Sequence, residues 1–419
     1  MRYEVVVKQT IIDLFSGAGG LTEGFRNKNF KILGHVEMNT AACKTLQLRD
    51  AFYWLKSRDR LKAYLRFLNH RITEKKLISL VDPKIIHKTL NVTMSEQTLS
   101  SVFSFFDKAL GNRKLDGVIG GPPCQAYSTI GRARNAPKKA TDERIYLYKY
   151  YIEFLKRYKP KFFVFENVKG LKSFRDIDGK LLLPKMKSEF EAAGYSLGVR
   201  TVKMSEYGVP QDRQRIIIYG VPKHNHTQID LFFQHLSDKK ESAATVGEVF
   251  SDLPQLSSGE EVNQYAGSPS DFIKCHYRLI KQVPLTQNIS RRNNKNDLQI
   301  YRLAVEAKQR GENFKYNDLP IDLQRHKNKD GYLDRFKVLD AMKPAHTIVA
   351  HIAKDGHHYI HPDILQNRSI TLREAARLQG FPDDYYFETS RTQAFIQIGN
   401  AVPPIFSKKI AQSISEVIL

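Results

Sequence analysis

The sequence is poor in cysteine and contains no long apolar segment. Among its 419 residues only Cys43, Cys124 and Cys275 are cysteines. Their spacing argues against a disulfide framework or a cysteine-ligated zinc and favours a reducing compartment. No apolar run approaches the roughly 20 residues of a membrane helix, and the N-terminus is too short and too charged for a signal peptide. We therefore expect a cytoplasmic protein without a membrane partner.

Acidic residues are scarce relative to basic ones. The chain carries 66 Lys and Arg against 44 Asp and Glu, a net charge of +22. An excess of this size points to a polyanionic partner, most simply nucleic acid, because cations that neutralise phosphates release counterions. The alternative is a basic surface that only confers solubility. The hydrophobic share of 41% suffices for one large or two modest domains.

A glycine-rich turn follows the first predicted strand. Val5–Leu14 is mostly apolar, and Asp13-Leu14-Phe15-Ser16-Gly17-Ala18-Gly19-Gly20-Leu21 leads into a helical pattern. The next strand, Phe30–Glu37, ends in an acid about twenty residues beyond the glycines, where a carboxylate can hold the hydroxyls of a ribose. This order predicts an α/β, Rossmann-like fold with a nucleoside-type cofactor. An ordinary strand-to-helix turn with a surface Glu is the alternative.

A second corner carries the candidate nucleophile. The short strand Leu115–Ile119 runs into Gly120-Gly121-Pro122-Pro123-Cys124, at the carboxyl end where open α/β sheets place their sites. The thiol is either an incidental buried cysteine or an aimed nucleophile. The segment 128–144 that follows is basic, with Arg132 and Arg134 among its cations, and resembles a loop able to close over a phosphate backbone. A merely solvated loop is the alternative.

A buried acid and two arginines complete the candidate chemistry. Phe162–Val168 reads as another buried strand, in which the acid Glu166 follows four apolar residues. Burial should raise the pKa of this carboxyl, which suits a proton donor. We expect Arg213 and Arg215 to share one face of the strand that continues through Ile216–Tyr219. Two exposed edge arginines are the alternative.

The rest of the chain is organised around these motifs. Residues 41–88 predict one long helix or a helical insertion over about 46–90, and 222–340 predicts a smaller domain with little regular structure, or else an insertion without function. A helix should begin at Thr371 and stop at Gly380, a tight turn should span Gln397–Pro404, and a last helix should follow. Five histidines crowd together at positions 346, 351, 357, 358 and 361. They lack a helical metal-ligand spacing, so we expect no metal.

The ordered motifs resemble those of the DNA (cytosine-5)-methyltransferases. The matching segments, in family order from Asp13 to Pro404, are DLFSGAGGL, GGPPCQAYS, FENV, QDRQR, REAARLQGFP and QIGNAVPP. The resemblance implies S-adenosylmethionine as methyl donor and a Rossmann-like catalytic domain formed by residues 1–221 with 341–419. It also implies a smaller target-recognition domain over 222–340.

The same resemblance implies roles for individual residues. Cys124 resembles the nucleophile, Glu166 the acid that faces cytosine N3, and Arg213 and Arg215 the motif arginines, with Arg215 on the base O2. Cofactor contacts are implied for Asp13, Phe15, Ser16, Gly17, Gly19, Gly20, Leu21, Glu37, Met38, Asn91, Pro122, Asn400 and Ala401. DNA contacts are implied for Gln125, Ser128, Arg132 and Arg134. Met38 and Asn91 depart from the family pattern, where an aromatic residue and an Asp are usual, so we expect altered cofactor affinity.

The expected reaction is methyl transfer from S-adenosylmethionine to C5 of a cytosine flipped out of double-stranded DNA. We expect a monomeric, nucleoid-associated modification enzyme of a restriction-modification system, with a cognate endonuclease acting separately. Two alternatives stay open: a tRNA cytosine methyltransferase with the same chemistry, and a nucleic-acid-binding protein that has lost catalysis.

Overall fold

The computed structural model describes residues 8–123, 127, 141–325 and 331–418. Its strands, in chain order, are β1 (Gln9–Leu14), β2 (Phe30–Glu37), β3 (Thr89–Asn91), β4 (Gly117–Gly120), β5 (Phe162–Val168), β6 (Tyr195–Lys203), β7 (Gln211–Asp212), β8 (Gln214–Pro222) and β9 (Ala345–His346).

The α-helices fall into three groups along the chain. Before β4 lie α1 (Gly20–Gly24), α2 (Thr40–Lys56), α3 (Leu61–Leu68), α4 (Glu74–Ile78), α5 (Pro83–Ile86) and α6 (Glu96–Leu110). Between β4 and β9 lie α7 (Tyr148–Tyr158), α8 (Leu182–Ala192), α9 (Gln228–Ser237), α10 (Val246–Phe250), α11 (Asp271–His276) and α12 (Lys295–Gln309). The C-terminal group is α13 (Leu372–Leu378), α14 (Arg391–Asn400) and α15 (Pro404–Ile418).

Seven of the described strands form one twisted, mostly parallel sheet. Their order is β3-β2-β1-β4-β5-β8-β6. Strands β1 to β5 pair in parallel, whereas β8 runs antiparallel to both β5 and β6. The chain order reverses between β1 and β4, which is the switch point where α/β sheets bind ligands. The predicted α/β, Rossmann-like architecture is confirmed.

Consecutive strand residues supply two cores, one on each face of the sheet. Ile11, Phe162, Val164, Ile217 and Tyr219 belong to one apolar cluster. Their immediate neighbours Ile12, Phe163, Phe165, Ile216 and Ile218 belong to the other. Successive strand side chains point to opposite faces, so a strand covered by helices on both sides reads as a continuous apolar run.

The region between β2 and β3 is a helical insertion rather than one long helix. Helix α2 ends at Lys56, and α3, α4 and α5 follow with turns between them. Asp59 adopts a positive φ of 54° at the first break. The four helices share a small core of their own that includes Leu55, Tyr64, Phe67 and Leu77. Of the two predicted possibilities, the structure therefore has the insertion.

Residues 222–340 contain more helix than their polar composition predicts. Helix α9 lies on the main sheet, where the ring of Phe232 stacks on that of Tyr219 with 4.0 Å between centroids. Helix α12 instead contributes Tyr301 to a second, smaller core, which also contains Phe336 and Ile360. The expectation of little regular structure was wrong for α12, because its buried residues Ile300, Tyr301, Ala304 and Val305 lie on one helix face.

The C-terminal motifs are helical over more of their length than expected. Thr371 caps α13 by accepting a hydrogen bond from the Glu374 amide, and the helix ends before Gly380, as predicted. Gln397–Asn400, expected in a tight turn, form the last turn of α14 instead. The real turn is confined to 401–403, because Pro404 can only begin a new helix.

A buried ion-pair network joins α13 to the chain before it. The Arg377 guanidinium is fully buried and lies 2.6 Å from Asp252 Oδ1 and 2.6 Å from Asp383 Oδ2. Burial opposes its charge, yet Asp383 and Asp252 together raise the pKa of Arg377. On the same helix Glu374 holds Arg368 through two bonds of 2.7 and 2.8 Å. These motif residues are therefore structural.

We expect Arg377→Met to lower the free energy of unfolding by about 3–4 kcal/mol. Removing the guanidinium leaves the Asp252 and Asp383 carboxylates buried without their main partner, which costs more than the pair contributed. Urea denaturation followed by circular dichroism measures the change. Arg310→Met is the matched control, because Arg310 pairs with Glu312 in solvent and should unfold like the parent. Equal stability of the two variants would contradict the structural role of the network.

Candidate active site

The candidate residues gather at the carboxyl edge of the sheet. The pairing register sets Leu14 beside Val36 and Gly120, and Glu37 beside Asn91. Each of these strands ends at the same level, so the segments that follow them share one edge. Four features lie along this edge. They are the glycine turn after β1, the acid Glu37 at the end of β2, the proline corner (residues 120–123) after β4, and Glu166 of β5.

The glycine turn is held open by its own hydrogen bonds. Phe15 and Gly17 have positive φ values of 58° and 53°, and Ser16 Oγ donates to the Asp13 carbonyl at 2.9 Å. Asp13 is buried and its carboxylate accepts from the Thr22 hydroxyl. A Cβ built on Gly17 would meet no atom within 4 Å. The turn therefore leaves an open cradle that a ligand group can fill.

Glu37 fastens the second strand to this turn. Its carboxylate accepts the Gly17 amide at 2.8 Å and the Asn39 amide at 2.7 Å. Burial raises the pKa of Glu37, and these backbone donors offset part of the rise. The two oxygens keep further lone pairs for hydroxyl donors. A ribose held against this acid is compatible with the geometry.

Met38 and Asn91, the two residues that differ from the family pattern, are joined by a hydrogen bond. Asn91 Nδ2 donates to the Met38 carbonyl at 2.9 Å and to the Glu37 carbonyl at 3.2 Å. Its Oδ1 accepts from the Thr40 hydroxyl at 2.9 Å. The Met38 side chain is 58% exposed at the edge. Since an Asp could not donate to those two carbonyls, Asn91 fixes the β2–α2 loop in a way that the usual residue would not.

The C-terminal turn closes the other side of the cradle. A Cβ on Gly20 would lie 2.2 Å from the Val402 carbonyl oxygen and 3.1 Å from Ala401 Cβ, so only glycine permits this approach. Gln379 Nε2 donates to the Ala401 carbonyl at 2.5 Å. Asn400 is exposed at the end of α14. Leu21 is buried beneath the turn, and Gly19 has a φ of 78°.

Glu166 and Arg215 form a partly exposed ion pair. Arg215 Nε lies 3.1 Å from Glu166 Oε1, and each side chain is 12% exposed. Burial raises the pKa of Glu166, and Arg215 and Arg213 offset only part of that rise. The predicted raised pKa is thus confirmed. A carboxyl that is shielded from water, close to an arginine and still accessible can hold or release a proton at a ligand atom.

Arg213 differs from the expectation that it shares a strand face with Arg215. It lies between β7 and β8 and is buried. Its guanidinium donates to the carbonyls of Ile348 at 2.8 Å and Gly399 at 3.3 Å. The break before β8 removes the regular alternation on which the prediction depended. Arg213 thereby ties the arginine segment to Ile348 and to helix α14.

The proline corner packs directly against Glu166. A Cβ on Gly121 would lie 2.6 Å from the Glu166 carbonyl oxygen and 3.0 Å from Oε2. Pro122 is buried, and its carbonyl accepts from Asn167 Nδ2 at 3.2 Å. Cys124, the residue after Pro123, lies outside the described residues, as do Gln125, Ser128, Arg132 and Arg134. Their predicted roles stay predictions.

Sequence reasoning missed three positioning amides. Asn167 holds the proline corner, and Gln211 Nε2 donates to Gln379 Oε1 at 2.7 Å. Gln211 and Gln379 are buried and link the segment before β8 to the turn at Ala401. All three stand inside the quoted motifs FENV, QDRQR and REAARLQGFP. A buried amide beside an apolar strand or helix is the signal that would have found them.

The histidines do not converge on a common point. His346 lies 2.6 Å from the His358 carbonyl, and His357 lies 2.8 Å from the Tyr301 hydroxyl. Burial lowers the pKa of His346 and of His361 to about 4. Within the described ranges, no three His, Cys, Asp or Glu residues are placed to hold a metal ion.

The described helices also include none with the length and apolarity to span a membrane.

The chain is similar to known proteins over nearly its whole length. The family model for the C-5 cytosine-specific DNA methylase matches residues 9–56 and 79–416. The type II methyltransferase M.Bpa9945I of Bacillus paralicheniformis is 37% identical, with 97% of this chain and 99% of the relative covered. M.AgeI, a type II methyltransferase of Thalassovita gelatinovora, is 30% identical with the same coverage.

Solved structures share the fold. A protein described as a DNA modification methyltransferase encoded within an E. coli prophage superposes with a TM-score of 0.63 at 21% identity, covering 98% of this chain and 99% of that one. The Dnmt2 methyltransferase of S. pombe superposes with a TM-score of 0.53 at 13% identity, with 98% of each chain covered.

Proposed function

Because the chain belongs to the C-5 cytosine-specific DNA methylase family and is a DNA cytosine-5 methyltransferase, we propose that Cys124, Glu166 and Arg215 carry out the reaction at the described carboxyl edge. The observation that supports this most is the accessible Glu166–Arg215 pair against the corner that leads to Cys124. Arg213 touches backbone carbonyls, so we assign it a positioning role.

The chemistry begins with the thiolate of Cys124 at C6 of the flipped cytosine. A carbon–sulfur bond forms there, and the ring's electrons move toward N3, where the Glu166 carboxyl supplies a proton or a strong hydrogen bond. Arg215 stabilises the charge on O2. C5, now nucleophilic, takes the methyl group. The sulfur that gave up the methyl group is left as a neutral thioether. Water then takes the C5 proton, the C–H electrons form the C5–C6 double bond and expel the thiolate, and the N3 proton returns to Glu166.

The family's methyltransferases depend on S-adenosylmethionine, which supplies an electrophilic methyl group on sulfur. The residues present fit this cofactor. The open cradle at Gly17 can receive the methionine end, Glu37 can accept from the ribose hydroxyls, and Met38 can cover the adenine. Asn91 positions Met38 through its backbone, so we propose that it acts on the adenine side indirectly. We propose that the remaining walls of the cofactor site are formed by Asp13, Phe15, Ser16, Gly19, Gly20, Leu21, Pro122, Asn400 and Ala401.

We further propose a division of labour between two parts of the chain. Residues 1–221 with 341–419 form the catalytic domain, and 222–340 forms the target-recognition domain. The small core around Tyr301 and Phe336, to which Ile360 of the catalytic part also contributes, supports a second unit there. Helix α9, the first after the proposed boundary, packs on the main sheet through the stack of Phe232 on Tyr219.

The cellular role follows from the substrate and the relatives. Duplex DNA is the partner of a DNA methyltransferase, and the full-length relatives are named type II methyltransferases. We propose that the protein is the monomeric, nucleoid-associated modification enzyme of a restriction-modification system, acting apart from its endonuclease. We also propose that the DNA contacts include Gln125, Ser128, Arg132 and Arg134.

Transfer of labelled methyl groups from S-adenosylmethionine tests this function. Duplex DNA and bulk tRNA are offered in parallel, and the product is digested to nucleosides. We expect label in DNA alone, as 5-methylcytosine. Label confined to tRNA would favour the RNA methyltransferase alternative, and absence of label in both despite DNA binding would favour the binding protein.

A further inference from the structure

A basic surface lies on the helical insertion, away from the candidate active site. It consists of the exposed side chains of Lys56, Arg58, Arg60, Lys62, Arg66 and Arg71. Asp59 is the single acidic residue between positions 56 and 71. Residues 57–78 also fall in the gap between the two segments that the family model matches. This surface is therefore a feature of the chain that the family pattern does not explain.

The insertion presents these cations from a folded support. Tyr64, Phe67 and Leu68 are buried on the inner face of α3. The Tyr64 hydroxyl donates to the Asp384 carbonyl at 3.1 Å, and the Phe67 ring contacts that of Tyr386 with 5.0 Å between centroids. Because α3 is anchored in this way, its outer face holds Lys62 and Arg66 in fixed relation to each other.

The cations of the basic surface have no ion-pair partner among the described carboxylates. Exposed cations elsewhere are often paired, as in Lys156–Glu153, Arg157–Asp107 and Arg310–Glu312. The Arg58 guanidinium instead stacks 4.2 Å from the Trp54 ring, which holds it without neutralising it. Six like charges left unpaired raise the local positive potential, and a polyanion would relieve their repulsion.

The position of the surface separates it from the cofactor edge. Helix α2 begins at Thr40, just after Glu37, and runs for 17 residues to Lys56. At 1.5 Å per residue this carries the chain about 25 Å from the carboxyl edge. Lys56, Arg58 and Arg60 lie at that far end. A duplex held in the active site would have to extend, or a second segment of DNA would have to approach, to reach them.

We propose that the basic surface binds the phosphate backbone of duplex DNA outside the methylated site. The contacts would be independent of sequence, because lysine and arginine on phosphates carry no base information. They would keep the enzyme on DNA between target sites and leave the chemical step unchanged. This inference requires the DNA methyltransferase activity of the family, but not the assignment of Cys124, Glu166 or Arg215.

The salt dependence of binding tests the proposal. The variant Arg58→Gln/Arg60→Gln/Lys62→Gln/Arg66→Gln is compared with the parent on a fluorescent 60-base-pair duplex of mixed sequence, by anisotropy between 50 and 200 mM KCl. Each phosphate contact contributes about 0.9 to the slope of log K against log salt. We expect the slope to fall by about 3 to 4 in magnitude. The maximal rate of methyl transfer at saturating chromosomal DNA should stay within about twofold of the parent.

A matched control removes four exposed cations that lie outside the helical insertion. Lys108, Lys114, Lys159 and Lys223 are exposed near the amino edge of the sheet, and their joint replacement by Gln makes the same change in net charge. This control should keep the parental slope. Equal slopes for all three proteins, or equal losses in both variants, would overturn the proposal. So would a larger effect on tRNA than on DNA, or a lost maximal rate.

Discussion

Methyl transfer to duplex DNA should fall by more than about 10³-fold in Cys124→Ala, because alanine cannot form the bond to C6 that makes C5 nucleophilic. Cytosine C5 is otherwise too weak a nucleophile to take the methyl group. Initial rates of label incorporation, with 5-methylcytosine identified after digestion, measure the change. The side chain loses only a sulfur atom, so the unfolding temperature and the affinity for duplex DNA should be close to parental.

Cys275→Ala provides the matched control for this loss. Cys275 is exposed and far along the chain from the proline corner, so its removal should leave the rate unchanged. Cys43 is a less suitable control, since it is buried and its thiol donates to the Glu37 carbonyl at the cofactor edge. A Cys124→Ala enzyme that keeps a tenth or more of the parental rate would rule out the covalent mechanism.

Glu166→Gln should lower the maximal rate by about 10³-fold while preserving the fold. The amide is nearly the same shape but cannot deliver a proton to N3, and general acid help of this kind is worth about 10²–10⁴-fold. Rates at saturating DNA and S-adenosylmethionine measure the effect. Binding of S-adenosylhomocysteine, followed by calorimetry, should be unaffected because Glu166 lies on the base side of the site.

The sign of the pH effect follows from the raised pKa of Glu166. A carboxyl with a folded pKa above its unfolded value contributes stability below the unfolded pKa, and this contribution is lost as pH rises through the folded pKa. Glutamine stays neutral, so the variant should be no less stable than the parent at pH 7 to 8. Urea denaturation at pH 5 and pH 8 checks this. A large loss of stability at both values would show that Glu166 is mainly structural.

The strands of the catalytic sheet could be predicted because a parallel strand that is buried on both faces appears in the sequence as a continuous apolar run. The sequence predicts both Phe30–Glu37 and Phe162–Val168 with their observed bounds. Glu166 could be identified for the same reason, since a carboxyl at the end of such a run needs a role or a partner. One long helix and a helical insertion are both compatible with the sequence of 41–88, because a short turn such as the one at Asp59 hardly changes the spacing of the apolar residues.

Contacts between distant segments could not be predicted. Arg377 and Asp252 are 125 residues apart. Nothing in the sequence around either residue distinguishes it from an ordinary charged residue on the surface. Arg213 was placed on a strand face because its spacing from Arg215 fits one, yet its carbonyl partners at Ile348 and Gly399 hold it elsewhere. The Gly and Asn of Gln397–Asn400 favour a turn, whereas tertiary packing keeps these residues helical.

The closure of the glycine turn by the C-terminal helix has a consequence for how the enzyme is made. The Ser407 hydroxyl donates to the Leu21 carbonyl, and Asn29 bonds to Ser415, across 386 residues in each case. At about 5–20 residues per second, a ribosome needs roughly 20–80 s to supply that partner. Until then the first helix has no partner along this side, so we expect nascent chains to be inactive and methylation to begin only with the finished molecule.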